Sequence, residues 1–124
     1  MNMTRKTSNL SSEQNKLLPL TPAVFFILFA LADGEKHGYA VMQQVTVLSG
    51  GKFHMGPGTL YSTIQRLLEL SLIEEVAGHD ESEGRRRYYR LTGAGTALLE
   101  VEFARVGALL RLARQKKLVP RNAQ

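Results

Sequence analysis

Residues 56–75 read GPGTLYSTIQRLLELSLIEE, and the order of parts in this stretch decides the fold. A Gly-Pro-Gly breaker comes first. Pro57 sits where a helix should begin, a position at which its missing N–H costs nothing. Leu60, Ile64, Leu67 and Leu68 follow at i, i+4, i+7 and i+8, which is one face of an α-helix. The opposite face carries Thr59, Ser62, Gln65, Arg66 and Glu69, with Tyr61 at the border. Residues 72–78, LIEEVAG, then read as a β-strand. A turn, a helix with a polar outer face and a strand thus succeed one another without a linker.

Upstream, residues 20–38 read LTPAVFFILFALADGEKHG. Thr21 is an N-cap candidate and Pro22 the first helical residue. This helix should end near residues 32–33, with Gly34 in the left-handed C-terminal conformation. It is apolar all round, so it needs cover on most sides. Residues 38–51, GYAVMQQVTVLSGG, place Tyr39 or Ala40, Val41, Val45 and Leu48 at helical spacing before Gly50 and Gly51 end a second helix. KFHMG connects it to Pro57.

Downstream, HDESEG at 79–84 is an acidic turn and RRRYYRL at 85–91 a second strand, together a β-hairpin with a loop longer than two residues. Residues 92–119 form a long helix with Thr92 as cap. Leu99, Phe103, Val106, Leu110 and Ala113 make one apolar stripe, and Leu98, Val101, Ala108 and Leu112 a second. A surface helix needs one such stripe, so the second asks for another partner. An intramolecular lid is the alternative reading of this helix.

The totals bound the possibilities. A chain of 124 residues fits one domain. It has no cysteine, which excludes disulfides and thiolate metal sites and makes the cytoplasm the expected compartment. Its longest apolar run, residues 23–32, is ten residues where a membrane-spanning helix needs about 20. Sixteen Lys and Arg against eleven Asp and Glu leave +5, distributed as +2 over 1–20, 0 over 21–72, −1 over 73–91 and +4 over 92–124. Within the near-neutral middle, Arg85, Arg86 and Arg87 are the one tight cationic cluster. His37, His54 and His79 lack metal-ligand spacing. Gly56-x-Gly58 lacks the Lys-Ser/Thr tail of a phosphate loop. No nucleophile, base and acid stand together, so neither an enzyme nor a cofactor is expected.

Three helices, the third with a polar outer face, followed by a hairpin make a winged helix-turn-helix. The fold class is mainly α with a small β-hairpin, plus a C-terminal dimerisation helix. The expected division is a flexible 1–18, with a short helix within 12–18 capped by Ser11 or Ser12, then 19–91 as the DNA-binding domain, 92–118 as the dimerisation helix and 119–124 as a tail. A major groove is about as wide as a helix, and the wing would lie over phosphates. Gln65 and Arg66 can reach adenine and guanine edges, while Thr59 and Ser62 are short enough for phosphate. Tyr61 would touch the DNA backbone or simply pack beside Leu60. Tyr39 would meet phosphate at a helix N-terminus or lie partly buried. Arg85, Arg86 and Arg87 would contact DNA or pair with Asp80, Glu81 and Glu83 across the turn. Tyr88 and Tyr89 read as hairpin core. The basic end, Arg111, Arg114, Lys116 and Lys117, suits the helix dipole. The plain alternative for the whole polar face is a solvated helix.

The segments LTPAVFFILFALADGEKHGYAVMQQV, GPGTLYSTIQRLLELSLIEE and GRRRYYRLTGAGTALL resemble the PadR-like transcriptional regulators over roughly residues 17–115. The linked motifs are HGY, GTLY, the LI exit and R-R-Y-Y-x-L-T-x-x-G, in that order. Ser71 stands where such proteins often have glycine, so a non-glycine residue has to turn left-handed there. The resemblance implies a homodimeric cytoplasmic repressor on a near-palindromic double-stranded DNA operator. It implies that Leu98, Leu99, Val101, Phe103, Val106, Leu110 and Leu112 meet a second subunit. It also implies a small, aromatic or cationic effector near that interface. A winged helix that binds another protein, or a small-molecule carrier, are the rival readings.

Overall fold

The computed structural model of the chain describes residues 10–77 and 87–120. Helix starts follow from single residues. Ser11, Thr21, His37 and Thr92 each accept a hydrogen bond from the main-chain N–H three residues on, at 3.0, 3.3, 3.3 and 3.1 Å. They begin α1 (Ser12–Asn15), α2 (Pro22–Ala30), α3 (Gly38–Leu48) and α5 (Gly93–Gln115). Helix α4 (Pro57–Glu69) starts at Gly56, which has no side chain to cap it. Three helices close in the same way, with a residue of positive φ and paired backward bonds: Gly50 after α3, Ser71 after α4 and Lys117 after α5. Ser71, at φ 59°, takes the left-handed turn expected from the resemblance.

Strands β1 (Lys36–His37), β2 (Ile73–Val76) and β3 (Tyr88–Leu91) form an antiparallel sheet in the order β1-β3-β2. Ile73 stands opposite Leu91 and Val76 opposite Tyr88, while Lys36 pairs with Tyr89 on the other edge. The expected two-stranded hairpin is therefore a three-stranded sheet. Two residues are too few to show a strand period, so β1 has no signature of its own. The fold is a winged helix with a long C-terminal helix.

Helix α2 lies at the centre and packs against α3, α4 and α5. Ile27 and Leu28 of α2, Val41 and Val45 of α3, Leu60, Ile64 and Leu67 of α4 and Leu98 of α5 are fully buried together. The corner from α4 to β2 is pinned by Thr92, whose hydroxyl donates to Ser71 O at 2.7 Å and whose N–H donates to Leu72 O at 3.1 Å. Gly95 follows against that corner, where a Cβ would collide with the Leu72 carbonyl oxygen. No described helix is long and apolar enough to cross a membrane.

Three boundaries differ from expectation. Helix α2 ends at Ala30, so Gly34 closes the turn after it and not the helix itself. Helix α5 ends at Gln115, where Lys117 turns the chain. Within the segment expected to be flexible, Leu10 and Gln14 are buried and α1 is closed by a reciprocal cap with Ser11. Residues 1–9 lie outside the described part.

Candidate nucleic-acid interface

Helix α4 turns Leu60, Ile64 and Leu67 inward, and this leaves Thr59, Tyr61, Ser62, Gln65, Arg66 and Glu69 exposed on the outside. The sequence-predicted reading face is thus brought together on one surface. In the free protein Ser62 Oγ donates to Thr59 O at 3.1 Å, so its proton is used within the helix while its lone pairs face out. Gln65 Nε2 makes only a long bond, 3.4 Å, to Glu69 Oε2. Arg66 forms no ion pair among the described residues. At the start of α4, Gly56, Pro57, Gly58 and Thr59 are all exposed and the first turn lacks a side-chain cap. Unbonded N–H groups at such an end favour an anion.

Tyr61 is placed by a glycine. A Cβ at Gly38 would lie 2.8 Å from Tyr61 Cζ, so only glycine lets the ring lie against the start of α3. Tyr39 is exposed in that same first turn. The two tyrosines from HGY and GTLY are therefore parts of one surface, where α3 begins and α4 passes. Tyr61 does pack, and it stays 48% exposed while doing so.

The described part of the wing holds two cross-strand charge pairs. Glu74 stands opposite Arg90, and Arg90 Nε donates to Glu74 Oε2 at 2.7 Å. Arg87 Nε lies 3.7 Å from Glu75 Oε2, with its side chain largely exposed. Among the described residues its partner is Glu75, a residue of β2. Arg85, Arg86, Asp80, Glu81 and Glu83 lie outside the described residues. Tyr89 is buried, and burial, followed by the nearby Glu75 charge, raises its phenol above the ordinary value. Tyr88 sets its ring edge-on to His37 at 5.5 Å. Arg90 was missed in the sequence, although strand alternation opposite Glu74 could have found it.

The long helix divides the residues read as interface. Leu98 and Leu99 are 0% and 6% exposed within the single subunit and belong to its core, which leaves them no surface for a second copy. Periodicity marks an apolar face but not what covers it. Val101 is partly buried against the same core. Phe103 sets its ring 5.2 Å from Phe25 and 5.0 Å from Phe29 while keeping an exposed side. Leu110 is half-buried. Val106 and Leu112 are exposed, as are Leu109 and Leu118, which the stripes had not included.

Glu102 was also missed. It is buried, accepts the Leu20 N–H at 2.8 Å, and is held by Arg105 at 2.7 and 3.2 Å. Those hydrogen bonds, the Arg105 one foremost, keep its carboxyl below the usual range against the opposing effect of burial. Its only signal in the sequence is the i, i+3 spacing to Arg105. Among the described residues no three His, Asp or Glu converge on a common point.

Residues 27–101 match the model of the transcriptional regulator PadR-like family. Over 74 residues the chain is 42% identical to a transcriptional regulator of Mycobacterium tuberculosis, covering 59% of this chain and 64% of that protein. Over 80 residues it is 41% identical to an uncharacterized protein of a Streptomyces fradiae transposon, covering 64% of this chain and 21% of that protein. The match therefore spans less than two thirds of either relative. A PadR family transcription regulator from Clostridium difficile superposes with a TM-score of 0.65 at 25% identity, over 77% of this chain and 97% of that one. Bacillus subtilis PadR, solved in complex with operator DNA, superposes with a TM-score of 0.58 at 21% identity, over 66% and 45%, and shares the fold.

Proposed function

The chain belongs to the PadR-like family of transcriptional regulators, and from that premise we propose that it is a homodimeric repressor that reads a near-palindromic operator. The observation that carries this is the outer face of α4, where Thr59, Ser62, Gln65 and Arg66 stand exposed between an uncapped helix start and the wing. Each α4 would lie in a major groove, with half-sites about one helical turn, roughly 34 Å, or a multiple apart. Gln65 and Arg66 read base edges. Thr59, Ser62, Tyr39 and Tyr61 hold phosphates, and the wing arginines Arg85, Arg86 and Arg87 add charge beside them. Bacillus subtilis PadR, which has the same fold, was solved in complex with operator DNA, and this supports DNA as the partner.

Exposed Val106, Leu109 and Leu112 on α5 support the dimer, because the subunit leaves that apolar face without cover. The two copies of α5 would set the spacing of the reading helices. A small molecule entering beside α5 would change that spacing and release the operator. A cleft of about 200 Å3 between Phe25, Phe26, Arg105 and Val106 supports such an entrance.

The test is selection from a pool of genomic fragments at several salt concentrations, with the recovered fragments sequenced. Enrichment of one inverted repeat, with affinity falling steeply as salt rises, is the expected result. No enrichment and no salt dependence would sink the reading and leave a winged helix that binds another protein.

A further inference from the structure

Among the described residues two polar side chains are buried, Gln14 and Glu102. Both hold the same stretch of chain, residues 10–20. A polar group taken out of water is tolerated only where its hydrogen bonds are met, so it specifies one geometry against others. Gln14 Oε1 accepts from Ser11 N–H at 2.9 Å, and its Nε2 donates to the Leu70 carbonyl at 2.7 Å. Leu70 is the residue that closes α4. At the other end of the stretch, Leu20 N–H donates to Glu102 of α5, and Arg105 grips both oxygens of that carboxylate. Between the two ties, Leu17 and Leu18 pack on the core.

We infer that residues 10–20 are a strap that fixes the C-terminal end of α4 relative to α5, and that Gln14 and Glu102 are positioning residues for DNA recognition. The inference rests on the reading of α4 as the DNA helix. Helix α4 is held near its start by Tyr61 against Gly38, and at its end by Gln14 and by the Thr92 bonds to the Ser71 corner. Its length is about 20 Å at 1.5 Å per residue, so a tilt of roughly 3° moves its far end by about 1 Å. A displacement of that size is enough to spoil a site built on fixed geometry. The strap also shapes the surroundings of Arg66. With α4 it lines a cleft of about 400 Å3 where Glu13 and Lys16 stand beside Arg66 and Glu69.

The absence of cysteine allows a clean test in the full chain. Spin labels at Glu69→Cys on α4 and Arg111→Cys on α5, diluted with unlabelled chain, report the separation of the two helices. A single narrow distance distribution is expected with the native strap. Gln14→Leu should broaden it while thermal unfolding stays cooperative. In the unlabelled protein Gln14→Leu and Glu102→Gln should each lower operator affinity about tenfold and leave affinity for random DNA unchanged. A merely structural loss would lower both alike. Should Gln14→Leu fail to fold, Gln14→Glu keeps the shape and removes the donor. A folded variant with an unchanged distance distribution, or an equal loss on operator and random DNA, would overturn the strap. If the native protein selects no DNA site, the DNA reading fails by itself, and the distance distribution still decides whether the strap fixes α4.

Discussion

Helices α4 and α5 leave opposite kinds of surface exposed. Helix α4 buries Leu60, Ile64 and Leu67, keeps Leu68 partly buried beside them, and presents polar side chains outward. Helix α5 buries its first part through Leu98, Leu99 and Glu102, then runs on with Leu109 and Leu112 at 51% and 52% exposure. The polar face suits a polar, anionic partner that offers hydrogen bonds. The apolar face suits a surface like itself. A single subunit thus leaves two unlike faces bare, and on the proposed reading one meets DNA and the other a second copy.

The harshest way to break that comparison is to charge the apolar face. Leu109→Glu with Leu112→Glu should give a folded monomer in sedimentation and lower operator affinity by at least about 100-fold, since two half-sites can then no longer be held together. A variant that stays dimeric would move the interface elsewhere. On the other face, Arg66→Ala should cost about 1–3 kcal/mol at the operator and relax its sequence preference, as measured by competition with single-base variants. An unchanged preference would remove Arg66 from the readers. Arg87→Ala should act more weakly and without regard to sequence. Binding to operator and random DNA should fall together, and the slope of log affinity against log salt should drop by about 1.

The smallest expected effect concerns stability. Glu102 has a folded pKa below its unfolded value, so its pairing adds stability that is fully present above about pH 4.5. That contribution is lost as pH falls through the lower folded value. Urea unfolding from pH 7 to pH 3 should show Glu102→Gln less stable at neutral pH and less sensitive to acid. Equal acid sensitivity in both proteins would show that Glu102 adds nothing to the acid response.

Much of this arrangement is legible one segment at a time. The face of α4 follows from leucine spacing within four turns. Thr21 and Thr92 mark helix starts through bonds that reach three residues on, and Pro57 through its fixed φ and missing N–H. The left-handed Ser71 was foreseen through the resemblance, which often places glycine at that position. Strand β1 was not legible, since its two residues are ordered by Tyr88 and Tyr89 on a distant strand. That Leu98 and Leu99 are already buried within the subunit was not legible for a related reason. A stripe on a wheel states which residues want cover, and α2 and the sheet had already supplied it.

By itself the sequence determined the order of helices and strands, the polar face of α4, the glycines and caps, and an overall positive charge. All of these rest on interactions within a turn or two of the chain, where spacing is geometry. The tertiary structure alone decided which half of α5 stays bare, why Gly38 must yield to Tyr61, and how residues 10–20 tie the reading helix to α5. Gln14 and Leu70 are 56 residues apart, and Leu20 and Glu102 are 82. No local pattern encodes such bonds. Glutamine and glutamate at those positions look like solvated surface until packing removes the water and leaves a single partner within reach.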